Sequence, residues 1–220
     1  MVNKDLKRRI AEIAYKNKLS HLGSYFSCVD AIEVIYANYM QPDDIFILSN
    51  GHAALAQYVV LEKHYGHNAE ELFKKHGGHP HWDEDNHIYC STGSLGTGIA
   101  VAVGRALTRK GTVHVMVSDG ECAEGVVWEA LKFLDTHDVP NIHVYVMSNG
   151  YGAYDKIEQH RLNTQVVAFN NKCQISFVLC TSEEFPFLHD LNAHYHIMKE
   201  PDYNSAMEMT KCDMTLPNYS

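Results

Sequence analysis

The sequence predicts an α/β protein built around a mainly parallel sheet. Two apolar runs, TVHVMVSDG and IHVYVMSNG, each stop at a turn dipeptide, and the helical stretch GVVWEALKFLDTHD lies between them. A strand, a helix and a second strand joined by short links form the unit from which parallel sheets are built. The content of 45% hydrophobic and 20% charged residues is ordinary for a globular protein.

The residues before this unit predict two helices, a strand and a third helix. Residues 4–17 place their apolar side chains on one face, which predicts a helix, and a second helical pattern covers residues 28–39. The run DIFILS predicts a buried strand, and NGHAALAQYVVLEKHYG after it predicts a helix.

The remaining segments are less regular. Residues 72–91 are polar and rich in histidine, glycine and proline, so we expect a loop, and STGSLGTG then opens the small-residue helix IAVAVGRALTRKG. Beyond Tyr154, CQISFVLCT predicts a further strand and DYNSAMEMTK a short helix. No internal repeat or domain boundary is evident.

Charge and composition exclude several classes of function. The net charge is −9 and there is no run of lysine or arginine, which argues against nucleic acid or an anionic membrane as the main partner. No apolar run reaches the roughly 20 residues that cross a bilayer, and the N-terminal stretch lacks the core of a signal peptide. We therefore expect a cytoplasmic protein. Because thiols inside cells stay reduced, we expect its six scattered cysteines, which include no CxxC pair, to be free: Cys28, Cys90, Cys122, Cys173, Cys180 and Cys212.

Polar residues follow two of the predicted strands at the point where each ends. Asp119 lies in SDG and Asn149 in SNG, and ligands of open parallel sheets bind at the carboxyl ends of strands. A magnesium ion that bridges a diphosphate prefers such oxygen ligands. Asp-Gly and Asn-Gly are also common turn dipeptides, so a plain turn remains the alternative at this point.

Six blocks of the sequence, taken in order, resemble the N-terminal domain of transketolases. They are SHLGSYFSCVDAIEVIY, DIFILSNGHAALAQY, GGHPHW, STGSLGTGIAVAVGRAL, SDGECAEGVVWEAL and SNGYGAYD. The last two resemble the thiamine-diphosphate motif, a strand-ending GDG followed at similar spacing by an asparagine; Asp119 and Asn149 are thirty positions apart. The resemblance covers about residues 5–155. It implies a three-layer α/β/α sandwich, thiamine diphosphate and Mg²⁺ as cofactors, and transfer of a two-carbon ketol unit between sugar phosphates.

The resemblance also implies a set of cofactor-binding residues. Asp119 and Asn149 would bind Mg²⁺ through side-chain oxygens, and Tyr151 through its backbone carbonyl. Gly120 would let the backbone approach the diphosphate, which a β-carbon would hinder. His52 would contact the phosphates.

Further residues match the family around the rest of the cofactor and the substrate. Gly93 and Leu95 would line the cofactor through backbone atoms near a helix N-terminus. His21 and His79 match the catalytic histidines that surround the reacting carbon and handle substrate hydroxyls. Glu124, which we also count as cofactor-binding, matches an acidic residue of a hydrogen-bonded network across the subunit interface, as does Glu129.

Each of these residue types also has a plainer interpretation. His52 could cap a helix, and both glutamates could be ordinary helix carboxylates. His194 and His196 alternate as on an exposed strand, which favours the surface, although they could approach the site. A transition-metal site is a further alternative, although its spacing differs from that of structural zinc sites and no CxxC lies nearby; its ligands would be His76, His79, His81 and His87.

Three departures from the family pattern shape the expected function. Ser118 stands where the family has the first glycine of GDG, and would weaken binding if the position needs positive φ or close phosphate approach. The segment after the asparagine strand is short, so a histidine of that region has no clear counterpart. Finally, the sequence stops at Ser220, before any pyrimidine-binding domain.

We therefore expect residues 1–220 to form a single diphosphate-binding domain, shortened after about residue 155, that is inactive without a partner. The partner would be a pyrimidine-domain (C-terminal) transketolase subunit, in a homodimer or heterotetramer acting on sugar phosphates. The alternatives are a non-catalytic scaffold or regulator, or an enzyme resembling 1-deoxy-xylulose phosphate synthase or a 2-oxo acid decarboxylase.

Overall fold

A computed structural model describes residues 2–152, 155–170, 172–181 and 183–211. Within these residues, four strands form one sheet in the order β1-β2-β3-β4, and every neighbouring pair is parallel. The strands are β1 (Ile45–Leu48), β2 (Val113–Ser118), β3 (Ile142–Ser148) and β4 (Gln174–Leu179). The parallel sheet predicted from the sequence is confirmed.

Helices cover both faces of the sheet. In chain order they are α1 (Lys4–Asn17), α2 (Leu22–Asn38), α3 (Ala54–Tyr65), α4 (Ala69–His76), α5 (Thr97–Ala106), α6 (Gly125–Thr136), α7 (Gln159–Val167) and α8 (Glu200–Met209). One apolar core lies between the sheet and the layer that contains α1, α2, α3 and α8. A second core lies between the sheet and α5, α6 and α7, so the predicted three-layer α/β/α fold is confirmed.

The first three strands are nearly continuous apolar runs because both of their faces are buried, whereas the edge strand β4 is only partly buried. Successive side chains of a strand point to opposite faces, so Met116 and Tyr145 join the first core while Val115 and Val144 join the second. α5 packs closely onto the end of β1, since a β-carbon at Gly98 would lie 2.5 Å from Ser49 Cα. This contact brings the start of α5 next to the carboxyl edge of the sheet.

Helix boundaries differ from the sequence prediction in three places. Residues 72–76 are helical, not loop, because Asn68 caps α4 by accepting hydrogen bonds from the backbone N–H groups of Glu70 and Glu71. α2 begins at Leu22, six residues before the predicted start. The nine-residue helix α7, which connects β3 to β4, was not predicted.

Two further sequence expectations concern membranes and thiols. No helix of the described segments is both long and apolar enough to span a bilayer. Five of the cysteines are free thiols, and Cys212 lies outside the described residues.

Candidate functional site

A cavity of about 520 Å³ lies at the carboxyl edge of the sheet. Its lining includes residues that follow each strand, namely Asn50 after β1, Asp119 after β2, Asn149 after β3 and Cys180 after β4. This edge is where open parallel sheets bind their ligands.

The structure brings the residues predicted to be catalytic or cofactor-binding to this one cavity. They are His21, His52, His79, Gly93, Leu95, Asp119, Gly120, Glu124, Asn149 and Tyr151. They come from separate parts of the chain: some directly follow strands, and others lie in loops or next to helix starts beside the same edge.

Asp119 is a buried carboxylate that ties two strand ends together. Its Oδ2 accepts hydrogen bonds from Ser148 Oγ at 2.8 Å and from the backbone N–H of Gly150 at 2.9 Å, and its Oδ1 accepts from Gly120 N–H. Burial raises the pKa of Asp119, and these hydrogen bonds oppose the rise. No lysine or arginine lies beside it among the described residues that line the cavity, so the carboxylate is suited to a bound cation.

Asn149 and Tyr151 lie on the loop that follows β3. The side-chain Oδ1 of Asn149 accepts a hydrogen bond from the backbone N–H of Tyr151 at 3.0 Å. Between them, Gly150 adopts a φ of 81°, which favours glycine. Gly150 also donates its N–H to Asp119, so this turn keeps the Asn149 and Asp119 side chains at the same cavity.

Gly120 and Ser118 flank Asp119 without strain. A β-carbon at Gly120 would lie 3.8 Å from Gly152 Cα and 3.9 Å from Ser118 Oγ, so the protein itself does not exclude a side chain there. Ser118 ends β2, its hydroxyl accepts from the backbone N–H of Glu121 at 3.3 Å, and its φ is not positive. The serine that departs from the GDG pattern therefore meets no backbone restriction.

Four histidines line the cavity, and one of them was not expected there. The rings of His21 and His194 lie 4.5 Å apart, and that of His52 lies 5.8 Å from His21 and 6.1 Å from His194. The backbone N–H of His21 also donates to the carbonyl of His194. His194 lies in a 3₁₀ turn, Leu191–His194, so the exposed strand expected around it is wrong.

His194 lies after β4, outside the short segment between β3 and β4 in which the sequence showed no counterpart to a family histidine. No local pattern identifies it, because its place against His21 depends on how the segment after β4 folds back over the cavity. His79, from the loop after α4, packs against Gly93, where a β-carbon would lie 3.4 Å from the imidazole ring.

Burial keeps the central histidines neutral. Burial lowers the pKa of His52 to about 3 and that of His21 to about 4, with smaller contributions from the neighbouring imidazoles. Burial also lowers the pKa of His194. At neutral pH these rings are hydrogen-bonding groups and not cations.

The cavity contains acidic side chains and, among its described lining residues, no lysine or arginine. The acidic residues are Asp119, Glu124, Asp155 and Asp190. An anionic ligand in such a cavity needs its charge offset by a metal ion and by backbone or neutral N–H donors.

Glu121, a buried residue beside Ser118 and Asp119 that does not itself line the cavity, was not singled out from the sequence. It is fully buried, and its Oε1 accepts from Ser49 Oγ at 2.8 Å and from the backbone N–H of Gly96 at 2.7 Å, while Oε2 accepts from Ser118 N–H at 3.0 Å. It thereby joins the ends of β1 and β2 to the start of α5.

The two glutamates that were matched to the family, Glu124 and Glu129, lie nearer the protein surface. Glu124 is exposed at the rim of the cavity, and Glu129 is exposed on α6 outside the lining.

The histidines proposed as an alternative metal site do not form one cluster. His76 pairs with Asp83 at 3.0 Å, His87 lies 2.9 Å from His67, and His79 lines the cavity. No group of three or more metal-ligating side chains occurs among the residues that the structure describes.

Fold and site together define an α/β/α domain with a cavity, lined by histidine, acidic and amide side chains, at the carboxyl edge of a parallel sheet. The family described as "Transketolase, thiamine diphosphate binding domain" matches residues 13–158. The chain belongs to this family.

Curated relatives agree with this assignment. Over 164 residues, 65% of this chain, the sequence is 31% identical to one of the subunits of apulose-4-phosphate transketolase from Phocaeicola vulgatus and spans 58% of that protein. Over 144 residues, 60% of this chain, it is 32% identical to the transketolase of Rattus norvegicus and spans 22% of it. The chain thus corresponds to only part of the length of each.

Solved structures share the fold. The transketolase from Leishmania mexicana superposes with a TM-score of 0.74 at 19% identity, over 94% of this chain and 40% of that one. The transketolase from Campylobacter jejuni gives a TM-score of 0.72 at 18% identity, over 94% and 42% respectively.

Proposed function

We propose that this chain is a single diphosphate-binding domain that holds thiamine diphosphate and Mg²⁺ in the cavity. With a pyrimidine-domain partner subunit it would transfer a two-carbon ketol unit between sugar phosphates. The observation that carries the proposal is the position of Asp119 and Asn149, at neighbouring strand ends in a cavity without lysine or arginine among its described lining. The family match supports it, as does the relative whose name makes it one subunit of a transketolase.

The residues of the cavity fit this cofactor. The side-chain oxygens of Asp119 and Asn149 and the backbone carbonyl of Tyr151 are oxygen ligands of the kind that Mg²⁺ prefers. The buried Asp119 carboxylate, in a lining without a described lysine or arginine, is the feature that most needs such an ion. The side chains or backbone that would contact the cofactor are those of His52, Gly93, Leu95, Gly120 and Glu124.

The histidines are suited to the substrate end of the cavity. When bound, thiamine diphosphate supplies the carbanion chemistry. His21 and His79 would orient substrate hydroxyls and exchange protons with them, since a neutral imidazole both donates and accepts a hydrogen bond. His194, whose ring packs against that of His21, extends this set.

Calorimetry with thiamine diphosphate tests the proposal directly. We expect binding in the presence of Mg²⁺, no measurable binding in EDTA, and none for Asp119→Ala, because that variant loses the carboxylate that the metal requires. Glu71→Ala, on the exposed surface of α4, is the matched control and should bind like the wild type. Equal binding with and without a divalent cation, or no binding at all, would contradict the proposal.

Activity assays address the partner and the reaction. The chain alone should not turn over a ketose phosphate donor with an aldose phosphate acceptor, and a pyrimidine-domain subunit should restore turnover. Turnover by the chain alone would show that no partner is needed. Turnover with pyruvate in place of the ketose phosphate would favour the 1-deoxy-xylulose phosphate synthase or 2-oxo acid decarboxylase alternative.

A further inference from the structure

Asn50 is a buried amide on the floor of the cavity with one open hydrogen-bonding position. The residue has no solvent exposure, it lines the cavity, and its Nδ2 donates to Cys28 Sγ at 3.4 Å. Its Oδ1 is buried and has no hydrogen-bond partner among the described residues. An unpaired buried polar atom is unfavourable, so the amide lacks a partner that a ligand can supply.

The backbone on both sides of Asn50 is held in place. Ser49 donates its backbone N–H to the carbonyl of Met116 at 2.8 Å and its hydroxyl to Glu121. A β-carbon at Gly51 would lie 2.6 Å from Thr92 Oγ1, so the backbone at Gly51 packs directly against Thr92. The backbone of Asn50 is therefore held in place, and its amide group can move only by rotation about the side-chain bonds.

The neighbour of the amide is a protonated thiol. Burial raises the pKa of Cys28 to about 11, and the negative charges of Asp119 and Glu121 add to the effect. A thiol is a weak hydrogen-bond donor, and an amide oxygen is a better acceptor than sulfur. A half-turn of the amide about Cβ–Cγ would place Oδ1 against the Cys28 S–H and present the NH₂ group where the unpaired oxygen lies.

We propose that Asn50 is a further diphosphate-binding residue, which donates an amide N–H to a phosphoryl oxygen while Cys28 acts as the positioning residue for the amide. The proposal rests on the proposed function, since it takes the ligand to be a diphosphate. Without lysine or arginine in the described lining, neutral N–H donors must complement the metal ion. A donor that is already buried pays little further desolvation when the anion binds.

Calorimetry with thiamine diphosphate and Mg²⁺ compares the wild type with Asn50→Ala and Asn50→Asp. Loss of one hydrogen bond to a charged group should weaken affinity about tenfold in Asn50→Ala. Asn50→Asp should weaken it further, because a carboxylate would face the phosphates. The matched control is Gln57→Ala, since Gln57 is also buried with an unpaired amide oxygen but does not line the cavity; its affinity should stay within about twofold.

The two Cys28 variants test the positioning role separately. Cys28→Ser retains a donor for the amide oxygen and should bind within about twofold of the wild type, whereas Cys28→Ala removes the donor and should lose about threefold. Equal affinity for Cys28→Ala and the wild type would overturn the role of the thiol.

Side-chain amide NMR of the wild type needs no substitution that could disturb folding. Magnesium and inorganic pyrophosphate should shift the Asn50 NH₂ resonances and leave those of Gln57 in place. Unshifted Asn50 resonances in a protein that binds, or Asn50→Ala affinity within about twofold of the wild type, would overturn the role of Asn50 and leave the proposed function intact. No binding by the wild type would instead contradict the proposed function itself.

Discussion

Buried polar residues occur at both edges of the sheet, and their hydrogen bonding differs. At the amino edge, His114 lies 3.0 Å from the Tyr145 hydroxyl through Nδ1 and 3.4 Å from Asp44 Oδ2 through Nε2. His143 Nε2 lies 2.9 Å from Ser176 Oγ and its ring stacks on Tyr145. Each histidine of this amino-edge cluster thus has a polar partner within the protein.

The carboxyl edge also has buried polar residues, but some of their atoms lack hydrogen-bond partners. His21 Nδ1 and Asn50 Oδ1 are buried without a hydrogen-bond partner among the described residues, and the described lining offers Asp119 no lysine or arginine. An unpaired buried polar atom destabilises a fold by about 1–3 kcal/mol, so paired and unpaired groups at the two edges affect the protein differently. Pairing within the amino-edge cluster stabilises the protein, whereas the open positions among the residues that line the cavity can be completed by a ligand.

Glu121 provides the largest expected effect, because it lies at the carboxyl edge yet both of its oxygens are paired. Glu121→Ala should lower the free energy of unfolding by about 3 kcal/mol, since it leaves the N–H groups of Gly96 and Ser118 without their acceptor. The desolvation of the carboxylate, which raises its pKa, is removed at the same time and limits the loss. Urea denaturation measures the effect.

The matched control for Glu121→Ala is Glu124→Ala, an exposed carboxylate three residues away. It should change the unfolding free energy by no more than about 0.5 kcal/mol. If both variants lose the same stability, pairing does not separate structural residues from ligand-binding residues at this edge.

Tyr145→Phe, at the amino edge, should have the next largest effect on stability. The change leaves the His114 ring without the hydroxyl 3.0 Å from its Nδ1, and should lower the unfolding free energy by about 1–3 kcal/mol. Affinity for thiamine diphosphate, measured by calorimetry, should not change, because the cluster lies at the opposite edge from the cavity. A weakened affinity would mean that the two edges are coupled.

The sequence predicted the residues whose positions follow from local geometry. Asp119 and Asn149 were predictable because each directly follows an apolar strand, and parallel strands bring their carboxyl ends together. The α/β/α layers followed from the same alternation of strands and helices. The N-cap of α4 is also a local feature. Asn68, with two glutamates in the next three residues, predicts a helix start that the loop prediction for this segment overlooked.

Residues defined by distant contacts could not be predicted in this way. Glu121 binds Ser49 and Gly96, which lie 72 and 25 positions away in the sequence. His194 reaches His21 only because the segment after β4 folds over the cavity. Whether a buried polar atom lacks a partner, as at Asn50, depends on all of its neighbours and is a property of the folded chain alone.

Gly120→Ala separates folding from ligand binding at the carboxyl edge. The added β-carbon would meet protein atoms no closer than 3.8 Å, so the unfolding free energy should change by no more than about 0.5 kcal/mol. If the backbone of Gly120 approaches the diphosphate, affinity should fall about tenfold, which corresponds to about 1.4 kcal/mol. Calorimetry gives the affinity and urea denaturation the stability; unchanged affinity would exclude close approach at this residue.

The pH dependence of stability is the smallest expected effect and tests whether His143 is held neutral at the amino edge. Burial, with a smaller contribution from His114, lowers the pKa of His143 to about 4. A histidine of the unfolded chain has a pKa of about 6.5, so between these values the unfolded state binds more protons and stability falls as the pH falls. The contribution is fully present above about pH 6.5 and is lost towards pH 4.

His143→Gln isolates this contribution, because glutamine can still hydrogen-bond Ser176 but does not titrate. Urea denaturation at about pH 7, 6 and 5 should give a shallower loss of stability for the variant than for the wild type. His21 and His52 have lowered pKa values for the same reason, so part of the slope should remain. Thiamine diphosphate with Mg²⁺ should alter that remaining slope, because it binds beside those two histidines, and should leave the difference between wild type and His143→Gln unchanged. An identical slope in the variant and the wild type would mean that the amino-edge histidine accepts its proton as readily when folded as when unfolded.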